Sequence, residues 1–139
     1  VKVLLDVNVL ADLFLKREKW LAAAVAIWDA NRDGRIRCSA LASSIDTLAY
    51  LVRRNKADNA IVERAAVRTC LESLDVLPIT SDILRDAVER NGSDFEDDIL
   101  IAAAIANRMD AIITRDSTGF AGSPIKIHEP NEFAEMLSR

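Results

Sequence analysis

The sequence predicts an α/β fold, a central mainly parallel sheet of four to five strands with helices on both faces, in a single domain over residues 1–139. Three observations carry this. Short apolar runs, "VKVLL" foremost, have strand length and no polar alternation, as strands buried on both faces require. Longer alanine-rich stretches with helical apolar spacing separate them, which is the rhythm of βαβ units. Only four glycines and three prolines punctuate the chain, with no linker, repeat or low-complexity segment.

The elements follow in order. Val1 to Leu5 reads as the first strand. Val9 to Asn31 reads as two helices broken near Lys16 to Lys19, and "RDGR" (Arg32 to Arg35) as a turn. "IRCSA" is a second short strand. Ser43 opens a helix with Ile45, Leu48 and Val52 on one face, running to about Arg54. Ala57 to Leu74 is a helix and "DVLPI" (Asp75 to Ile79) a strand. Ser81 to about Asn91 is helical, with Gly92 as its stop. "DFEDDILIAAAIANR" is a further helix, "AIIT" (Ala111 to Thr114) a strand, "PIKI" (Pro124 to Ile127) a fifth strand, and Asn131 to Leu137 the closing helix.

Composition excludes several classes. Half of the residues are hydrophobic and 29% charged, no 18-residue stretch lacks charge, and no signal-peptide pattern opens the chain, so a cytoplasmic protein is expected. Cys38 and Cys70 sit in no C-x-x-C or Cys/His cluster and read as small core residues rather than a disulfide or thiolate site. The net charge is −4, yet residues 1–70 carry 12 basic and 8 acidic side chains, and residues 71–139 carry 6 and 14. An acidic cluster beside a basic surface suits cations facing a phosphate backbone, and it equally suits ordinary solvated helices.

In parallel α/β sheets, sites form at the carboxyl ends of strands. Asp6 and Asn8 follow the first strand, and Arg115 and Asp116 follow "AIIT", so the two acids converge if those strands are neighbours. In "SDFEDD", helical spacing puts Asp94, Asp97 and Asp98 on one face with Glu96 pointing elsewhere. One such acid is explained as a cap; four acids in five residues repel and point to a cation. Asp46, in "SSID", either flanks a site or completes a capping box with Ser43. His128 lacks partners at ligand spacing and reads as structural. No nucleophile elbow, phosphate loop or dinucleotide fingerprint is present. Several Asp without a catalytic His point to Mg²⁺ or Mn²⁺ held by oxygen ligands.

"LLDVNVLADLFLKRE", "DFEDDILIAAAIANRMDAIITRD" and the short F-x-G-S-P-I before the last strand, in that order and spacing, resemble the PIN-domain family, which includes VapC-type ribonuclease toxins. The resemblance spans nearly the whole chain. It implies a PIN-like three-layer fold with metal-dependent cleavage of RNA. Asp6, Asp97 and Asp116 would bind the metal; Asn8 and Thr114 would orient them, and Asp94 or Asp98 would assist. The family's Glu on the central helix has only Asp46 as its counterpart, one methylene shorter. Divalent cations would generate the nucleophile and stabilise charge on the phosphate oxygens. Arg115 is the first choice to hold substrate phosphate, ahead of Lys16, Arg17, Lys19, Arg53, Arg54 and Lys56. The resemblance also implies a small antitoxin covering the site and a homodimer; "WLAAAVAIW" is a packing or partner face. The alternatives are an inactive PIN-fold scaffold, a nuclease acting on DNA, and a haloacid-dehalogenase-like phosphatase, whose second Asp is replaced here by Asn8.

Overall fold

The structure, a computed structural model, describes residues 1–55 and 60–139. The expected start of the fourth helix at Ala57, and the side chain of Lys56, lie outside the described residues. Five strands form one sheet: β1 (Lys2–Leu5), β2 (Arg37–Leu41), β3 (Asp75–Leu77), β4 (Ala111–Ile113) and β5 (Lys126–His128). Their order is β3-β2-β1-β4-β5, and all four pairings are parallel.

Alternation along the strands builds two cores. Val3, Leu5, Cys38 and Ala40 pack with side chains of α1 (Val7–Phe14), α2 (Glu18–Arg32), α3 (Ala42–Asn55), α4 (Ala60–Ser73) and α7 (Pro130–Leu137). Leu4, Leu41 and Ile112 face the other way, onto α5 (Ser81–Arg90) and α6 (Phe95–Ala106). Both faces are therefore apolar, which is why β1 shows no polar alternation. Cys38 and Cys70 lie unbridged in the first core. Burial pushes their thiols up to about 12 and about 11, so both stay protonated.

Boundaries shift by a residue or two from expectation: β3 ends at Leu77 rather than Ile79, β5 runs Lys126–His128 rather than Pro124 to Ile127, and α3 opens at Ala42 rather than Ser43. The left-handed residue that ends α5 is Asn91, at φ 50° and ψ 42°, not Gly92. Asn tolerates that conformation through local hydrogen bonding, and Gly92 serves a different purpose described below. Among the described residues no helix is long and apolar enough to cross a membrane.

The topology fixes where chemistry can occur. The strand order reverses at β1, and the crevice at such a point opens at the carboxyl ends of the strands. Leu5 is in register with Ile113, so Asp6 and Thr114 leave the sheet side by side. The Asp6 N–H donates to the Ile113 carbonyl at 3.0 Å, and the Thr114 N–H to that of His128 at 3.0 Å. His128 itself is structural: Nδ1 meets Glu132 Oε1 at 2.7 Å, and the ring stacks on Phe133.

Candidate active site

Asp6 stands at the junction of β1 and α1. The Val7 N–H donates to its Oδ1 at 2.7 Å, making Asp6 the cap of α1. Its other oxygen accepts from the Thr114 hydroxyl at 2.8 Å and the Asn8 amide at 3.4 Å. Thr114 is fully buried, and its oxygen also accepts the Asp116 N–H at 3.1 Å and the Asn8 amide at 3.3 Å. The Arg115 N–H donates to Asn8 Oδ1 at 3.3 Å. Asn8 and Thr114 thus stitch the ends of β1 and β4 together and fix one lobe of the Asp6 carboxylate. Burial raises the pKa of Asp6 most; the Thr114 and Val7 hydrogen bonds oppose this, and the charges of Glu96 and Asp116 add to it.

The acids of α6 divide. Asp94 is the N-cap, accepting from the Glu96 and Asp97 N–H groups at 2.9 and 3.2 Å. Asp97 turns into the crevice. Burial first, then the charges of Asp94, Asp6, Asp116 and Glu96, push its carboxyl up to about 7. Its carboxylate rests against the Cα of Gly119, where a Cβ would overlap it. Gly119 belongs to the 3₁₀ turn Ser117–Phe120 that follows Asp116, and the Thr118 hydroxyl donates to Asp116 Oδ1 at 2.7 Å.

Two acids behave contrary to expectation. Asp98 shares the helical face of Asp94 in projection, yet it turns away and is buried, accepting the Gly92 N–H at 2.8 Å. Gly92 has no side chain because the Asp98 carboxylate fills that space. Glu96, expected to point elsewhere, faces the site: it lines a cleft of about 280 Å³ together with Asp6, Ser43, Ser44, Thr47 and Ile99.

Asp46 lies exposed on α3, one residue before Thr47, and is not among the residues that line the cleft. Nor does it close a capping box, because α3 begins at Ala42 and Ser43 is already inside the helix. Arg115, expected to face substrate, is engaged elsewhere. Its Nε and Nη2 donate to both oxygens of the buried Asp12 at 2.8 and 3.2 Å, and its guanidinium lies 3.9 Å from the centre of the Trp20 ring. Arg17 also pairs with Asp12, at 3.5 Å, and Arg53 with Glu63, at 3.6 Å. Trp28 packs edge-on against Phe14, so the two tryptophans serve internal contacts. Asp12 has one signal in the sequence: a lone acid in the apolar run "VNVLADLFL" needs a buried partner.

Asp6, Asp94, Glu96, Asp97 and Asp116 therefore crowd one edge of the sheet, and among the described residues none has a Lys or Arg ion-pair partner. Oxygen donors with uncompensated charge suit a hard divalent cation. The fit is one of composition and charge: among the described residues no three acidic, His or Cys side chains already stand as a closed ligand set.

A five-stranded parallel α/β protein with an acidic crevice at the reversal of strand order is the class that fold and geometry define. The PIN domain family model matches residues 2–118, and the chain belongs to that family. No curated protein matches the sequence. In fold the chain is similar to a chain of the Rickettsia felis VapBC2 complex bound to a promoter DNA fragment (TM-score 0.69, 13% identity, covering 93% of this chain and 98% of that one). It is likewise similar to a chain of a Klebsiella pneumoniae toxin–antitoxin complex (TM-score 0.68, 22% identity, 92% and 97% covered). A third similar structure is Mycobacterium tuberculosis VapC20, a toxin cleaving the sarcin–ricin loop (TM-score 0.67, 15% identity, 86% and 93% covered).

Proposed function

We propose that the chain is a metal-dependent endoribonuclease, the toxin of a VapBC-type pair. The observation that carries this reading is the convergence of Asp6, Asp97 and Asp116 without a cationic partner. These three would hold Mg²⁺ or Mn²⁺, by rotation of carboxylates that do not yet form a closed set. The bound cation supplies Lewis-acid stabilisation of charge developing on a phosphodiester. The protein's own part is orientation. Thr114 and Asn8 fix Asp6, the Thr118 hydroxyl holds one oxygen of Asp116, and Gly119 leaves room for Asp97. The cleft beside Asp6, with the hydroxyls of Ser43 and Thr47 along α3, is the expected bed for the nucleotide next to the scissile bond. Asp94 acts by capping and by its charge, and Asp98 holds the turn before α6; neither is assigned to the metal, nor is Asp46.

The toxin–antitoxin complexes among the similar structures support a small antitoxin as partner, and a homodimer is the free form that the family resemblance implies. The test is cleavage of a mixed RNA pool, with a DNA pool beside it, in Mn²⁺ or Mg²⁺ and in chelator. We expect metal-dependent cutting of RNA, lost by at least a hundredfold in folded Asp6→Asn and Asp97→Asn proteins and retained in Asp46→Asn, on the order of effects of removing a metal-centre group. No cutting together with no calorimetric signal for Mn²⁺ would leave an inactive scaffold, and cutting of DNA alone would change the substrate.

A further inference from the structure

Asp12 is fully buried on a helix whose other inward residues are apolar. A buried carboxylate needs a paired and hydrogen-bonded cation. Asp12 has two: Arg17 at 3.5 Å, and closer in Arg115, held at both oxygens in the bidentate geometry that only an arginine offers. The opposite constraint comes from α2: Trp20 presents its ring face to the same guanidinium at 3.9 Å. The Arg115 side chain is 24% exposed, so it is gripped rather than free.

The placement of this cation is unexpected from its neighbours alone. Arg115 precedes Asp116 in the chain, and its backbone N–H meets Asn8 at the heart of the acidic crevice. A long cationic side chain rooted there would otherwise settle among Asp6, Asp97 and Asp116. Instead it turns to an acid one helical turn after Asn8, on the side of α1 that faces α2.

Building on the proposed metal site, we propose that Asp12 and Trp20 form a clamp that holds Arg115 out of the crevice and so keeps its acids free for a cation. Asp12 and Trp20 are positioning residues on this reading; neither touches the metal or substrate. The clamp ties cation affinity to the join between α1 and α2, because loosening Trp20 releases one face of the guanidinium.

The first measurement is independent of metal. In ¹⁵N-labelled protein the Arg115 Hε signal should be protected from solvent exchange in wild type and lose that protection in Asp12→Asn. An unprotected Hε in wild type would overturn the clamp, whether or not Mn²⁺ binds. The second is calorimetry with Mn²⁺ well below the melting temperature. Asp12→Asn should bind about tenfold more weakly, in the range seen when partners behind a metal site are removed. The double variant Asp12→Asn/Arg115→Gln, which removes the stray cation, should return to within about threefold of wild type by the same scale. A purely structural ion pair would leave affinity unchanged in the folded single variant, and either that result or failure of the double variant to recover would overturn the proposal. Should Asp12→Asn not fold, Trp20→Leu replaces it, and unchanged Mn²⁺ affinity there has the same consequence. Wild type with a protected Hε and no Mn²⁺ signal would instead overturn the nuclease reading and, with it, the purpose assigned to the clamp.

Discussion

Adjacent carboxylates on α6 should give opposite phenotypes. Asp98 is buried and accepts the Gly92 N–H, so Asp98→Ala removes the partner of a backbone donor. A loss of about 1–3 kcal/mol is expected, read by urea unfolding, with Mn²⁺ affinity within about twofold of wild type because the group faces away from the crevice. Asp97→Asn should do the reverse, removing Mn²⁺ binding while relieving repulsion from four neighbouring acids. Helical spacing placed both residues on one face but could not choose between them, because the choice depends on a backbone N–H six residues earlier. Gly119 is a third case. Its Cα abuts the Asp97 carboxylate, so Gly119→Ala must displace that acid. A Mn²⁺ affinity lowered about tenfold is expected for disturbing a ligand through its neighbour. An unchanged affinity would mean the carboxylate has another productive position.

At the scale of elements, α6 brings a cap and a charge cluster together in one turn. Asp94 accepts two N–H groups and is the first of the charges acting on Asp97. Asp94→Asn keeps the acceptor and removes the charge, so the Asp97 titration, followed by carboxyl ¹³C shifts, should move down from about 7 while helix stability holds. Asp94→Ala should cost about 1 kcal/mol as well. The strands and helices were legible because apolar length and period separate them, and the pairing of β1 with β4 meets the condition on which a convergence of Asp6 and Asp116 depended. The apolar face of α3 was legible, since Ile45, Leu48 and Val52 are buried as expected; its start was not. This helix leaves β2 without a loop, starting at Ala42, so Ser43 is no cap; Ser43, Ser44 and Thr47 line the cleft and Asp46 is exposed. Likewise, spacing directed Glu96 away from the other acids, yet it lines the cleft beside Asp6.

The whole molecule stores this acidic edge as a pH-dependent cost. Asp97 keeps its proton to about 7 in the folded protein against an ordinary value of 3.8, and Asp6 is shifted in the same direction. Between those values the folded state binds more protons than the unfolded one, so stability falls as pH rises. The stabilising contribution of protonation is complete below about pH 4 and is lost as pH passes through about 7. In chelator, the melting temperature should therefore decline from pH 5 to pH 8, and Asp97→Asn should flatten much of that decline. Saturating Mn²⁺ should reverse the trend, because the cation competes with the proton for the same oxygens and stabilises the folded state by mass action. Binding near pH 6 should then release protons, read as a dependence of the calorimetric heat on the ionisation enthalpy of the buffer. A melting temperature in chelator that rises over this range would show that the acids are already compensated within the chain, and the case for a cation at this edge would fall with it.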